Sequence, residues 1–113
     1  MGYLFFLKRI DKYFKNLLKM PKQKILFLSV KKKYFEMIKQ GIKTEEYREL
    51  NNYWFKKLVN KNYDEIIISL GYPKKNDISK RISFKYEGYT LRNIKHEEWN
   101  YENKRVFAIK LQN

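Results

Sequence analysis

The feature that most constrains the fold is the order of three segments near the middle of the first half of the chain. KILFLSV at 24–30 is an apolar, β-rich run, typical of a buried strand. KKKYFEMIKQG at 31–41 has helical spacing and ends in Gly41, the residue type that helices favour just after their last turn. KTEEYRE at 43–49 alternates as a short strand does. The sequence therefore predicts a strand, a helix and a strand in close succession.

The rest of the chain predicts three more strands and one more helix. NNYWFKKLV at 51–59 has Asn51 as a plausible N-cap of the helix. The predicted strands are 64–73, 81–91, with a bend at Gly88, and 105–111, separated by a polar loop at 74–80 and an irregular stretch at 93–104. Short strands and irregular turns favour an α+β fold: a small β-barrel of about five strands with two helices, rather than a doubly wound sheet.

The composition excludes several kinds of site. The chain has no cysteine and one histidine, so a disulfide framework, thiol catalysis, a Cys-based zinc site and a His-rich metal site are all excluded. We predict no cofactor and no metal. The absence of cysteine fits a reducing cytoplasm.

The charge points to polyanionic partners. Lys and Arg number 26 against 12 Asp and Glu, giving a net charge of +14. Such an excess favours nucleic acid, because neutralised phosphates release counterions. The alternative is a genome rich in A and T, which raises the content of Lys, Asn, Ile and Tyr. Residues 1–43 hold 12 basic and 2 acidic side chains, whereas 44–113 hold 14 and 10, so most of the excess lies early.

The first 20 residues predict a basic amphipathic helix that ends before Pro21. Its lysines interrupt the apolar positions, so it does not resemble a membrane span. Three roles are open: packing on the domain, lying on a membrane surface or nucleic acid through residues 1–19, or acting as an extension. We divide the chain into an extension at 1–20 and a domain at 21–113.

The segment LSVKKKYFEMIKQGIKTEEYRE resembles the opening signature of ASCH domains. The matching residues, in order, are Leu28, Ser29, Lys31, Gly41, Lys43, Thr44, Glu46 and Arg48. SLGYP at 69–73 and VFAIKL at 106–111 are similar to segments of small bacterial and phage members. The resemblance implies a PUA-like barrel whose cleft, beside the signature strand, receives RNA or a modified nucleoside.

Strand alternation predicts which signature residues act together. Thr44, Glu46 and Arg48 fall on one face, and a Glu46–Arg48 pair could orient a base or phosphate. Lys43 falls on the other face, but it follows Gly41 closely and its stem can curl into the same cleft. The alternative is an exposed strand whose ion pairs contribute little.

A catalytic function is a second interpretation of the same cleft. Some small ASCH members resemble acetylcytidine amidohydrolases, and another is reported as a ribonuclease. In the amidohydrolases the signature lysine acts with a threonine three residues later and with a distant glutamate. Lys43 matches the lysine, but Glu46 replaces the threonine, and only Glu97 and Glu98 are candidates for the glutamate. The resemblance thus gives Lys43 and Glu46 as the candidate catalytic residues.

Three further residues are candidate ligand contacts. Lys31 immediately precedes a helix, so its positive charge lies at the positive end of the helix macrodipole. A phosphate bound by both Lys31 and the helix N-terminus would offset this repulsion. Tyr72 and Trp99 could stack on bases, or they could be structural, Trp99 by capping the core. We predict an RNA- or nucleotide-binding domain, with a hydrolase and a membrane or protein adaptor as alternatives.

Overall fold

The structure, a computed structural model, describes residues 23–112 as an α+β domain with two helices and six strands. The predicted helix in residues 1–20 lies outside the described residues, and the division of the chain at that point remains a prediction. Within 23–112, no helix is long and apolar enough to cross a membrane.

The elements follow the chain in this order: β1 (Ile25–Val30), α1 (Lys32–Lys39), β2 (Glu45–Glu49), α2 (Asn52–Leu58), β3 (Glu65–Leu70), β4 (Arg81–Lys85), β5 (Tyr89–Lys95) and β6 (Asn103–Lys110). Single 3-10 turns lie at Ile78–Lys80 and Glu97–Trp99. The two helices and the first three strands agree with the predicted segments to within a few residues.

The strands form two three-stranded sheets rather than one barrel. The first sheet has the order β1–β3–β4, with β1 parallel to β3, and the second has the order β2–β6–β5 and is antiparallel. The prediction of a single closed barrel of about five strands is therefore not met by the described residues. The difference arises at Gly88, where the chain has a φ of 87°. The predicted bend is present, but it divides 81–91 into β4 and β5, which belong to different sheets.

The core joins both sheets and both helices. Alternate residues of β1 and β3 point inward, and β6 is central to its sheet, so residues 106–109 are all buried. The cluster consists of Leu26, Leu28, Val30, Phe35, Ile38, Leu58, Ile66, Ile68, Phe107, Ile109 and Leu111. Because one core connects the sheets, the ends of β1 and β2 are held near each other.

The predicted helix ends are confirmed. Gly41, with a φ of 77°, follows Gln40, the C-cap residue of α1. The Gly41 N–H donates to the carbonyl of Ile38 at 3.0 Å. The side chain of Asn51 accepts a hydrogen bond from the Trp54 N–H at 2.9 Å, so it is the N-cap of α2. These two ends fix the entry and the exit of β2.

Candidate functional site

A pocket of about 260 Å³ lies where the end of β1, the first turn of α1, β2 and the Glu97–Trp99 turn meet. Five of the seven candidate residues line it together: Lys31, Lys43, Glu46, Arg48 and Trp99. The full set of lining residues is Ser29, Val30, Lys31, Tyr34, Lys43, Glu46, Tyr47, Arg48, His96, Glu98 and Trp99. The pocket therefore combines buried charge with aromatic rings.

Glu46 is the buried carboxylate of this pocket, with only 7% of its surface exposed. Its Oε1 accepts a hydrogen bond from the Tyr47 N–H at 3.0 Å and lies 3.6 Å from the Lys43 ammonium. Its Oε2 is buried and has no hydrogen-bond partner among the described residues. One acceptor on this carboxylate is thus unused.

Lys43 brings a cation into the same space, with 9% of its side chain exposed. Its ammonium lies 4.5 Å from the Tyr47 ring centroid and 5.3 Å from that of Tyr34, so both rings make cation–π contacts with it. Alternation along a strand would have pointed Lys43 away from Glu46. Lys43 precedes the first residue of β2, however, and its N–H still donates to the carbonyl of Met37 in α1 at 3.1 Å.

Arg48 links the two sheets at the wall of the pocket. Its Nη2 donates to the Ser29 carbonyl of β1 at 3.0 Å, and its guanidinium lies 5.0 Å from the Trp54 ring. Its Nε is buried and has no partner in the described structure. The predicted Glu46–Arg48 ion pair is not formed, because Glu46 pairs with Lys43 while Arg48 bonds to the backbone.

Four rings form much of the remaining wall. The ring of His96 lies 5.4 Å from Tyr34, 6.0 Å from Tyr47 and 5.8 Å from Trp99. The Nδ1 of His96 accepts from the Glu98 N–H at 3.1 Å, which assigns this ring a structural contact within its own turn. An aromatic wall of this kind suits a flat, unsaturated ligand.

Exposed ion pairs surround the mouth of the pocket. Lys31 pairs with Glu98 at 3.0 Å and Lys33 with Glu97 at 2.6 Å. The hydroxyl of Tyr34 donates its proton to Glu97 at 2.6 Å, and an oxygen of Glu98 lies 3.2 Å from the same hydroxyl as a second acceptor. These contacts tie α1 to the Glu97–Trp99 turn.

The pKa values at the mouth reflect these hydrogen bonds. The Lys33 bond, and then that of Tyr34, lower the pKa of Glu97. The bond from Lys31 is the main cause that lowers the pKa of Glu98. Burial, helped by the bond to Glu97, raises the pKa of Tyr34. Both glutamates are therefore ionised at neutral pH while Tyr34 keeps its proton.

The four other sequence candidates differ in how far they enter the pocket, and two of them lie outside it. Lys31 stays at the rim, with its side chain 72% exposed and engaged by Glu98. Trp99 is half-buried in the pocket wall, and its indole N–H donates to Glu49 at 3.0 Å. Thr44 and Tyr72 are not among the lining residues of this pocket. The Thr44 carbonyl accepts from the Leu111 N–H at 2.9 Å, which continues the pairing of β2 with β6.

Sequence reasoning missed the aromatic residues Tyr34 and Tyr47. Alternation assigned Tyr47 to the face opposite Glu46, yet its ring reaches the pocket beside Lys43. Tyr34 follows three lysines at the start of a helix, and its hydroxyl finds two glutamates more than 60 positions away. An alternating pattern carries no signal for contacts of that range.

Within residues 23–112, no group of three or more His, Asp or Glu side chains is placed to hold a metal ion. Comparisons with protein-family models, with curated proteins and with solved structures gave no match.

Proposed function

We propose that this chain is an ASCH-type domain that binds RNA or a nucleotide, with one base held in the pocket beside β2. The observation that carries the proposal is a pair of unused polar atoms on two side chains that line one aromatic-walled pocket: the acceptor Oε2 of Glu46 and the donor Nε of Arg48, both buried. A buried polar atom without a partner destabilises a fold by about 1–3 kcal/mol. A ligand that satisfied both atoms would offset that loss.

A nucleobase has the chemistry that these atoms lack. Its edge presents N–H donors next to ring-nitrogen or carbonyl acceptors, which match a carboxylate and a guanidinium respectively. Its flat faces suit the rings of Tyr47 and Trp99. A cavity of about 260 Å³ is just below the usual range for small-molecule sites, which favours one base over a larger ligand.

The surroundings of the pocket suit a phosphate. The Lys31–Glu98 pair at the rim is exposed, and exposed pairs of this kind contribute little to stability. An incoming phosphate can therefore replace Glu98 as the partner of the Lys31 ammonium with little loss of stability. The net charge of +14 supports the same partner.

The ASCH assignment is supported by the way in which the signature residues meet. Ser29, Lys31, Lys43, Glu46 and Arg48 are spread over 20 positions and line one pocket. In this proposal the two sheets, joined by a common core, correspond to the halves of a PUA-like barrel that is left open.

The sharpest test replaces Glu46 with Gln and measures the binding of a fluorescein-labelled mixed-sequence RNA decamer by anisotropy. The change removes a negative charge, so simple electrostatics predicts tighter binding to RNA. A base contact through Oε2 predicts the opposite, a loss of about tenfold, since one good base contact is worth about 1–3 kcal/mol. Glu87→Gln is the control, because Glu87 is exposed and lies outside the pocket.

The proposal predicts that E46Q weakens binding while E87Q leaves it equal or slightly tighter. The affinity of the unchanged protein should also fall steeply between 50 and 200 mM salt, as it does when phosphates are contacted. Equal or tighter binding by E46Q would refute the base contact. An affinity insensitive to salt would refute RNA as the ligand.

Hydrolysis is the second candidate, and the Lys43–Glu46 pair is the observation that favours it. Glu46 Oε2 could take a proton from water, whose oxygen would attack the carbonyl carbon of an N-acetylated base. The Lys43 ammonium would stabilise the oxyanion, and the proton on Glu46 would pass to the departing amine as the C–N bond breaks. The products would be acetate and the free amino base.

The test for hydrolysis is acetate release from N4-acetylcytidine. Lys43→Met and Glu46→Gln should each reduce it to background if the two side chains act together. A rate that either variant leaves unchanged would exclude this mechanism, and the binding proposal would stand on the RNA measurements alone.

A further inference from the structure

A second groove adjoins the first pocket on the far side of Arg48. It encloses about 400 Å³ and shares Ser29 and Arg48 with the pocket. Its other principal walls are the aromatic residues Phe27, Tyr53, Trp54 and Tyr72. The first pocket and the aromatic groove are therefore neighbours that share Ser29 and Arg48.

The aromatic residues of the groove are unusually exposed for their size. Tyr72 is 96% exposed, Phe27 66% and Tyr53 60%. Phe27 faces outward because its neighbours Leu26 and Leu28 occupy the inward positions of β1. Clustered exposed rings of this kind mark an interaction surface rather than a misplaced core.

The charge of the groove is positive. Among residues 23–112, its charged lining residues are Arg48 and Arg81, and no carboxylate lines it. Arg81 donates to the carbonyls of Lys74 at 2.8 Å and Asp77 at 2.9 Å, so it holds the 74–80 loop rather than meeting a phosphate directly. The loop carries Lys74 and Lys75 immediately after Pro73, a lining residue.

We propose that this groove is a stacking platform for the nucleotides that flank the base in the first pocket. The ligand would then be single-stranded RNA rather than a free nucleoside. Exposed aromatic rings beside cationic side chains are what such strands bind, because bases stack on the rings and phosphates meet the charges. This inference rests on the proposed function, and the two residues that the groove shares with the first pocket give the strand its path.

The test compares the binding of short and long RNA in variants that keep the net charge constant. The probes are a mixed-sequence RNA decamer, followed by anisotropy, and an equimolar mixture of the four nucleoside monophosphates, used as competitor. Tyr72→Ala removes a ring, Tyr72→Phe keeps it, and Phe55→Ala is the control. Phe55 is also an exposed aromatic residue, but it lies in a different groove.

Y72A is expected to weaken decamer binding about tenfold, since stacking on one ring contributes roughly 1–3 kcal/mol. Y72F and F55A should bind the decamer as the unchanged protein does. The mononucleotide mixture should compete equally well in all of them, because Tyr72 does not line the first pocket.

Two results would overturn the inference. In the first, Y72A binds the decamer normally while E46Q binds it more weakly. The first pocket would then bind RNA and the groove would not, as expected if a protein segment occupies the groove instead. If the unchanged protein binds neither probe, the proposed function fails and the inference fails with it. Weaker decamer binding by Y72A, with normal binding by F55A, supports the platform.

Discussion

Removing both members of the Lys43–Glu46 pair is expected to destabilise the fold by less than the sum of the losses from removing each one alone. The two charges are 3.6 Å apart and each side chain is 9% exposed. At an effective dielectric constant of about 20, such a pair attracts with roughly 4–5 kcal/mol, most of which offsets the loss of hydration. Lys43→Met leaves a buried carboxylate alone, and Glu46→Gln leaves a buried ammonium alone. Either loss should amount to about 3 kcal/mol.

The double variant K43M/E46Q has no buried charge in this pair, so it should be more stable than the sum of the single effects predicts. Urea unfolding, followed by tryptophan fluorescence, measures this. With an m-value of about 1.5 kcal/mol/M, each single variant should lower the midpoint by about 2 M. The double variant should lower it by clearly less than 4 M, which corresponds to a coupling energy of at least about 1 kcal/mol.

The matched control is the exposed pair of Lys33 and Glu97, whose ammonium and carboxylate are 2.6 Å apart. K33M/E97Q should show a much smaller coupling energy than K43M/E46Q despite the shorter distance, because solvent screens an exposed pair. Additive effects of K43M and E46Q would refute the reasoning. They would mean that water hydrates both groups and that the pocket is not a desolvated site.

Three more outcomes are expected. Hydrogen bonds lower the pKa of Glu49, chiefly that from Lys104, and the pKa of Glu97. The stability that these carboxylates add is complete above their ordinary value of about 4.5 and is lost as the pH falls through their lower folded-state values, so the urea midpoint should be lower at pH 3 than at pH 6 and less pH-dependent in E49Q. Gly41→Ala should destabilise by about 1–2 kcal/mol, since its φ of 77° strains any side chain although the space is open, and thermal unfolding would measure this. Asn51→Ala should remove about 1 kcal/mol with its N-cap bond, by the same measurement.

Local signals in the sequence predicted the helices and their ends. Gly41 and Asn51 act within a few residues of their own positions, through a positive φ and one hydrogen bond, so a short window of sequence contains all that is needed. The strands β1 and β3 were equally predictable, because apolar, β-rich runs bounded by polar or turn residues are typical of strands. These elements needed no knowledge of distant contacts.

The division into two sheets could not be read in the same way. RISFKYEGYTL alternates as far as Glu87 and predicts a bend at Gly88, but a bend does not say that β4 and β5 belong to different sheets. The choice depends on which strands pair, and β5 pairs with β6, which begins at Asn103. Strand pairing of this range is decided by packing, which a local pattern does not encode.

Strand alternation described only part of the candidate site. It grouped Glu46 with Arg48, and both line the pocket, but it also grouped Thr44 with them and excluded Lys43 and Tyr47. The rule fails at Lys43 because the strand has not yet begun there. It fails at Tyr47 because β2 is an edge strand, and a long side chain on an edge strand can reach the pocket from the opposite face. Reach and turn geometry, rather than periodicity, decide these contacts.

Arg48 is the residue at which the fold and the candidate site depend on each other. Its Nη2 donates to the Ser29 carbonyl of β1, its guanidinium makes a cation–π contact with Trp54, and its Nε remains as an unused donor. A lysine has one compact ammonium and could not make the first two contacts at once. The planar guanidinium is therefore required for the junction of the sheets. Arg48 also lines both the pocket and the adjoining groove, so a strand bound along both would meet it at the step between one base and the next.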